Sequence, residues 1–225
     1  MAQEQRISVV RPRLPRERES PGRERWLSAD ELRLLDSKLP LQWRPLFALL
    51  AFTGARIGEA QGLRWEDVRL SERRISLHQE TRRLKNEGSV RMLPVPDELA
   101  RVLASHAATV PVGPSDAVFA GALGNYTRAL KAFRKACQAA GLTGVTPHDL
   151  RHTFCVHAIQ NGVPLPRLQK LLGHATPAMV MRYAAHSPEA YLDADAAKVA
   201  TALCGSTDGQ AEGRAALARD GLRRA

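Results

Sequence analysis

The stretch HDLRHTFCVHAIQNGVPLPRLQKLLGHATPAMVMRY, at residues 148–183, is the part of the chain around which the rest is organised. His148 and Arg151 stand three residues apart at its start, and side chains with that spacing share one face of a helix. A glycine and a proline then interrupt the helical pattern, so His174 and Tyr183 belong to different elements. Two imidazoles, a guanidinium and a phenol in one segment favour an anionic substrate over a metal ion.

Length and charge set the broad class of the protein. A chain of 225 residues with 44% hydrophobic residues can bury one sizeable core, so we expect one folded domain. Lysine and arginine outnumber aspartate and glutamate by 33 to 23, and this excess favours a polyanionic partner, with nucleic acid as the first candidate. Charge alone leaves open a basic protein whose charge serves only solubility.

Cysteine usage and hydropathy bear on the compartment. Cys137, Cys155 and Cys204 are widely spaced and odd in number, which is typical of reduced thiols in a cytosolic protein. No apolar run approaches the roughly 18 residues of a membrane span, and the N-terminal residues lack the apolar stretch of a signal peptide. We therefore expect a cytoplasmic protein without a membrane partner.

Composition divides the chain into three regions. Residues 1–25 carry seven arginines among prolines and glutamates, and we expect a disordered basic arm that either lies along DNA phosphates or stays solvated. Residues 26–204 have the hydrophobic periodicity of a folded domain. Residues 205–225 place arginines among small residues and are expected to form a weakly ordered tail.

The first half of the domain is expected to contain helices and a hairpin. Ser28 and Glu31 fit a capping box that begins a helix, and the apolar run after Leu41 predicts a buried helix that ends on Gly54. Two later segments alternate apolar and polar residues around a turn-rich spacer that contains Lys85, which predicts a small antiparallel sheet with this lysine near a hairpin tip. The alternating segments are residues 74–80 and 90–95.

Helices dominate the second half. Asp97 is expected to cap a helix to about residue 107, and amphipathic or apolar patterns predict helices at about 126–140 and 187–204. Together with the helices of residues 148–183, these patterns predict an α+β fold that is mainly helical.

Arg56 and Glu59 stand three residues apart beside an almost wholly apolar segment. An arginine that enters a mostly buried region needs a carboxylate partner or an anionic ligand, because uncompensated burial of a charge costs several kcal/mol. The pair is therefore either a structural salt bridge or part of an anion site, and spacing alone leaves both open.

A metal site fits this sequence poorly. His148 and His152 stand four apart, as in zinc-binding helices, but the residue after the first histidine is Asp149 rather than glutamate. Arg151 lies near the same face and would repel a cation, and no third ligand is obvious. Neither a serine nucleophile on a sharp glycine-flanked turn nor a phosphate-cradling glycine loop is present in the sequence. We expect no metal and no cofactor.

Phosphoryl transfer on a diester fits better. The non-bridging oxygens carry negative charge throughout an in-line displacement, and arginine stabilises them because its planar fork forms two parallel hydrogen bonds. Arg56 and Arg151 would supply the clamp and His174 a further donor. Tyr183 would be the nucleophile, and Lys85 would protonate the departing sugar oxygen.

A phenol needs help to lose its proton at neutral pH, since its unperturbed pKa is near 10. Nearby guanidinium charge is expected to favour the phenolate of Tyr183, and His148 is placed by the sequence to accept or relay the proton.

These residues together resemble one family. The segments TGARIGEAQGLRW, RMLPVP after the hairpin lysine, HDLRHTF, LLGH, and RY nine residues later are similar to motifs of the tyrosine recombinases of the phage-integrase and Xer type. The resemblance covers residues 26–200 and includes Arg56, Lys85, His148, Arg151, His174 and Tyr183, with Glu59 orienting the first arginine. His152 and His186 also hold family-like positions, which we interpret as structural.

The resemblance implies a mainly helical tyrosine-recombinase catalytic domain over residues 26–204 that cleaves and rejoins DNA strands through a 3′-phosphotyrosine. It implies double-stranded DNA as substrate and a homo-oligomer, a tetramer, on DNA, with an accessory DNA-binding protein as a further partner. It also implies that residues 187–204 dock on a neighbouring protomer, whereas packing on their own domain is the alternative.

Members of this family usually carry an N-terminal helical domain that clamps the other face of DNA, and only about 25 residues precede the catalytic part here. We therefore expect weaker independent binding, and the chain is read as a fragment, a minimal recombinase or a remnant. Two other functions stay open, namely a DNA-binding regulator without catalysis and DNA relaxation of the type IB topoisomerase kind.

Overall fold

The computed structural model describes residues 25–78, 90–174 and 176–204. These residues form a mainly helical α+β fold with one small antiparallel sheet, as the sequence predicts. The α-helices are α1 (Ala29–Lys38), α2 (Arg44–Thr53), α3 (Ile57–Gln61), α4 (Asp97–Ala107), α5 (Tyr126–Ala139), α6 (Pro147–Gln160), α7 (Leu165–Leu172), α8 (Ala178–Met181) and α9 (Ala190–Cys204). The strands are β1 (Val68–Arg69), β2 (Arg74–His78) and β3 (Val90–Pro94).

Helix α1 begins at the predicted capping box. The Ser28 hydroxyl accepts from the Glu31 amide at 3.2 Å, and the Glu31 carboxylate accepts from the Ser28 amide at 2.8 Å. Two amides of the first turn that have no helical acceptor are thereby satisfied. The predicted cap at Asp97 is wrong, because Pro96 occupies the cap position of α4 and Asp97 is the first helical residue.

Helix α2 is the buried centre of the larger hydrophobic core. Leu46, Leu49 and Leu50 are each fully buried, and α2 packs against both α4 and α6. The helix ends at Gly54, which adopts φ +64°. A Cβ there would come within 2.7 Å of the Phe154 ring of α6, so the close approach of the two helices requires a glycine.

The strands pair in the order β1-β2-β3, with neighbouring strands antiparallel. Ile75 faces Leu93 and Leu77 faces Arg91 across the β2–β3 pair. Ile75, Leu77 and Leu93 are buried in the core, and Arg91 lies on the same inward face with only 7% of its surface exposed. The sheet therefore delivers one charged side chain into the interior.

Helix α6 connects the larger core to a smaller one. Thr146 and Asp149 form a second capping box at its start, and its Thr153 hydroxyl accepts from the Leu27 amide at 2.9 Å. Its C-terminal half packs into a separate cluster with α7, α8 and the residues that follow. The members of this cluster are Cys155, Val156, Ile159, Leu168, Leu172, Val180 and Tyr183.

Several predictions fall outside the described residues. The disordered arm of residues 1–25 lies outside them except for Arg25, and so does the tail of residues 205–225. The hairpin strands are confirmed, but the spacer with Lys85 also lies outside the described part. Within that part, no helix is both long and apolar enough to cross a membrane.

Candidate active site

Arg151 extends from α6 into a pocket of backbone carbonyls. Its Nη1 donates to the Gly54 carbonyl at 2.6 Å, and its Nη2 donates to the Leu172 carbonyl at 3.0 Å. Both acceptors lie at helix C-termini, where carbonyls lack helical partners and carry partial negative charge. Burial and the nearby Arg56 charge lower the pKa of Arg151 to about 10, so this guanidinium stays charged at neutral pH. The arginine thus connects three elements, namely α6, the end of α2 and the end of α7.

His174 follows the end of α7 and contacts the same guanidinium. Gly173 takes φ +63° at this turn, and a Cβ on it would lie 3.0 Å from Arg91. The Nε2 atom of His174 is 2.6 Å from Nη2 of Arg151. Burial, followed by the charges of Arg151 and Arg56, lowers the pKa of His174 to about 4.

A neutral His174 has one proton on its ring. Because Nε2 faces an arginine N–H donor, Nε2 is the acceptor and Nδ1 carries the proton. Nδ1 is buried and has no hydrogen-bond partner among the described residues. His174 thus holds a ring N–H that no described residue accepts.

Glu59 organises the second arginine of the site. Its side chain is only 1% exposed, and it accepts from the Arg56 amide at 2.8 Å and from Nη1 of Arg56 at 3.1 Å. Both guanidinium ends of Arg91 also bond to it, at 3.0 and 2.5 Å. Burial alone would raise the pKa of Glu59, but the hydrogen bond and charge of Arg91, with those of Arg56, lower it. The carboxylate is therefore ionised and shared by two arginines.

Arg56 is the more accessible of these two arginines. It occupies the cap position of α3, its side chain is 34% exposed, and it forms an ion pair with Glu59. Gly54, which binds Arg151, is only two residues earlier in the chain. Burial is the first cause of the lowered pKa of Arg151 and the charge of Arg56 is the second, so the two guanidinium groups lie near each other.

Arg91 was missed as a member of the site by sequence reasoning. Arg91 stands two and four residues before the buried Leu93 and Val95, so all three lie on the inward face of β3 and its continuation. A charge on an inward face requires a partner of opposite charge, and the buried Glu59 is the carboxylate that binds it. The alternation of residues in this segment could therefore have predicted the inward position of Arg91 from the sequence.

His148 lies at the exposed N-terminal end of α6. Partial loss of water contact lowers its pKa, and the neighbouring His152 and Arg151 lower it further. The imidazole is therefore neutral at physiological pH and lies where a ligand can reach it. Its ring meets the His152 ring edge to face, with centroids 4.8 Å apart.

Tyr183 is only 4% exposed, and its hydroxyl lies 2.6 Å from Nδ1 of His152. The expectation was that His148 would serve this hydroxyl and that His152 would be structural, but the imidazole in contact is His152. Burial, followed by the neighbouring Cys155, raises the pKa of Tyr183, and this outweighs the charges of Arg182 and Arg151. The tyrosine is therefore a neutral phenol in this arrangement: the arginine charges favour the phenolate, as expected, but burial outweighs them.

The structure thus brings five of the six predicted catalytic side chains to one region around the start of α6, and Lys85 lies outside the described residues. Within the described stretches, no three His, Cys, Asp or Glu side chains gather as a metal-binding group. What the arrangement offers chemically is two adjacent arginines, a histidine donor and a tyrosine hydroxyl.

Known proteins are similar to this chain over most of its described residues. The profile of the Phage integrase family matches residues 25–190. A tyrosine recombinase XerC of Rhodospirillum centenum is 34% identical over 149 residues, which are 64% of this chain and 42% of the relative. A putative integrase of Pseudomonas phage Pf1 is 38% identical over 147 residues, 64% of this chain and 39% of the relative. The chain therefore spans less than half the length of these two curated relatives.

A crystal structure of XerA recombinase matches the fold with a TM-score of 0.61 and 26% identity. The match covers 77% of this chain and 64% of that chain. The family profile covers more than half of the sequence and includes every described residue of the site. The chain belongs to the phage integrase family.

Proposed function

We propose that this protein is a site-specific DNA recombinase that cleaves and rejoins strands through a covalent 3′-phosphotyrosine. The observation that carries the proposal is the grouping of three side chains: His174 contacts Arg151, and the charge of Arg56 acts on both of them. Two neighbouring guanidinium groups, with Arg56 partly exposed and Arg151 buried behind it, offer donors to the two non-bridging oxygens of a phosphodiester. The names of the relatives, tyrosine recombinase and integrase, support the same reaction.

In this proposal each residue has one role. Arg56 and Arg151 hold the scissile phosphate, and His174 donates to one of its oxygens. Tyr183 attacks phosphorus, and the 5′ oxygen leaves with a proton from Lys85. His148 faces the same phosphate from the exposed end of α6, where its neutral ring can exchange a proton. Glu59 orients Arg56 through two hydrogen bonds.

A reaction on DNA also implies a partner, a catalytic domain and an assembly. Double-stranded DNA is the proposed partner, residues 26–204 the proposed catalytic domain, and the cytoplasm the proposed place of action. We propose assembly as a homo-oligomer, a tetramer, on DNA, with an accessory DNA-binding protein as a further partner. Support for assembly comes from α9, which exposes Leu192, Val199 and Leu203 to more than half of their surface. A neighbouring protomer would cover these side chains.

The test is a cleavage assay on DNA taken from the flanks of the gene. Nicked duplexes prevent religation, so a covalent protein–DNA adduct accumulates and is seen after denaturing electrophoresis. We expect the adduct with the wild type and no adduct with Tyr183→Phe. Tyr126→Phe, which removes a hydroxyl from an exposed ring on α5, is the control and should form adduct like the wild type. Equal adduct from wild type and Tyr183→Phe would overturn the assignment of the nucleophile.

A further inference from the structure

We propose that His152 is the general base that takes the proton from the Tyr183 hydroxyl. This inference rests on the proposed function, because it requires Tyr183 to be the nucleophile. It moves the proton-accepting role from His148, the residue that the sequence favours, to the next histidine on the same face of α6.

The contact geometry carries the inference. Nδ1 of His152 lies 2.6 Å from the Tyr183 oxygen, within the range that general-base transfer requires. Tyr183 is buried in the small core with Val180 and Leu172, so its hydroxyl has little access to water. A proton that leaves this oxygen therefore needs an acceptor in the protein.

Other groups near the hydroxyl are poorer acceptors. The thiol of Cys155 lies beside it, but burial raises the pKa of that thiol to about 11, so it carries its own proton. Arg182 and Arg151 act on Tyr183 by charge and accept no protons. His148 meets the face or edge of the His152 ring rather than the hydroxyl.

The location of His152 also gives the proton a way out. His148 and His152 stand four residues apart on α6, and their rings are in contact, so the buried base adjoins an exposed imidazole. Arg151 lies between them in sequence and points toward the phosphate site. The base thus connects the buried nucleophile with the surface where DNA would bind.

The cleavage step moves two protons and exchanges one bond at phosphorus. The Tyr183 O–H bond breaks and its proton goes to Nδ1 of His152, while the tyrosine oxygen forms a bond to phosphorus. The bond from phosphorus to the 5′ oxygen breaks, and that oxygen takes a proton from the site acid. The cationic imidazole that results is offset by the negative charge of the phosphotyrosyl diester.

The experiment measures the rate of adduct formation against pH on the nicked flanking DNA. His152→Asn keeps a polar group near the position of Nδ1 but removes the basic nitrogen. We expect its rate at neutral pH to fall by about 100-fold or more, the usual size of a general-base contribution. We also expect the wild-type rate to level off once His152 is neutral, whereas the variant rate keeps rising with hydroxide.

His157→Asn is the matched control, because His157 lies on the same helix and bonds the Leu27 carbonyl, away from the site. It should keep the wild-type pH profile. A His152→Asn enzyme with the wild-type rate, or with a lower rate but an unchanged profile, would overturn the base while leaving Tyr183 as nucleophile. Absence of adduct with the wild type on its authentic site would instead overturn the proposed function, and this inference with it.

A second measurement needs no DNA. If His152 accepts from Tyr183, the ¹⁵N chemical shift of Nδ1 should be that of an unprotonated, hydrogen-bonded nitrogen at neutral pH. Tyr183→Phe should move this resonance toward the value of a free acceptor nitrogen. A protonated Nδ1 in the wild type would overturn the inference, because that tautomer donates to the tyrosine oxygen and cannot take its proton there.

Discussion

The two arginines of the site are held in different ways. Arg56 shares a buried carboxylate with Arg91, so Glu59 offsets one of two positive charges. Arg151 is bound by two carbonyls and one imidazole, and within the described part of the chain no carboxylate lies at ion-pair distance from it. Its charge is fixed in position but only partly compensated.

This difference indicates which of the two arginines would be stabilised more by a bound anion. Carbonyl dipoles at helix ends orient a guanidinium without neutralising it, so the unit charge of Arg151 remains available to a phosphate. The pKa of Arg151 is lowered by burial and then by Arg56, which means that the surroundings destabilise the charged form of this side chain. A bound phosphate would relieve that destabilisation, whereas Glu59 already relieves much of it for Arg56 and Arg91.

The largest effect is expected from a substitution that breaks the bonds of Arg151 to its backbone carbonyls. A lysine in Arg151→Lys has one nitrogen and cannot bond separately to Gly54 and Leu172 as the two arginine nitrogens do. We expect adduct formation to slow by at least about 100-fold, as for loss of one oxyanion donor. The rate on nicked DNA measures it, and Arg101→Lys on exposed α4 should match the wild type. Near-wild-type cleavage by Arg151→Lys would argue against a fork-shaped phosphate contact.

A second effect is expected from removing the charge of Glu59, the carboxylate that Arg56 and Arg91 share. Glu59→Gln keeps the shape of the side chain but leaves Arg91 buried without a counter-charge. We expect the free energy of unfolding to fall by about 3 kcal/mol or more, as for one partner removed from a buried pair. Urea denaturation measures it, with the exposed Glu98→Gln as control at no more than about 0.5 kcal/mol. Equal stability of Glu59→Gln and Glu98→Gln would contradict the role of this carboxylate.

The smallest effect is expected in the pH dependence of stability, through the lowered pKa of His174. The folded protein lowers the pKa of His174 from 6.5 to about 4, so between these values the unfolded chain binds a proton that the folded chain excludes. Stability from this residue is full above pH 6.5 and is lost as the pH falls toward 4. Urea titrations of His174→Gln should show a shallower loss over this range, with a residual slope because the pKa of His148 is lowered in the same direction. Parallel curves for wild type and variant would place the pH dependence elsewhere.

Local sequence patterns predict many of the helix ends that the structure shows. The capping boxes at Ser28 and Thr146 and the left-handed turn at Gly54 depend on neighbours three or four residues away, which periodicity and residue type specify directly. The cap at Asp97 failed because the preceding proline, with its restricted φ, occupies the position that begins the helix.

Arg56, Arg151 and His174 could be predicted as candidate site residues from the sequence, because they stand in segments whose spacing and motifs mark them. How these groups are paired depends on contacts that form when distant segments pack together. The bonds from Arg151 to Gly54 and from Tyr183 to His152 join residues 97 and 31 positions apart, and local pattern carries no information on contacts at that range. Burial of Tyr183, which keeps its phenol neutral, is likewise set by packing of α6 against later turns.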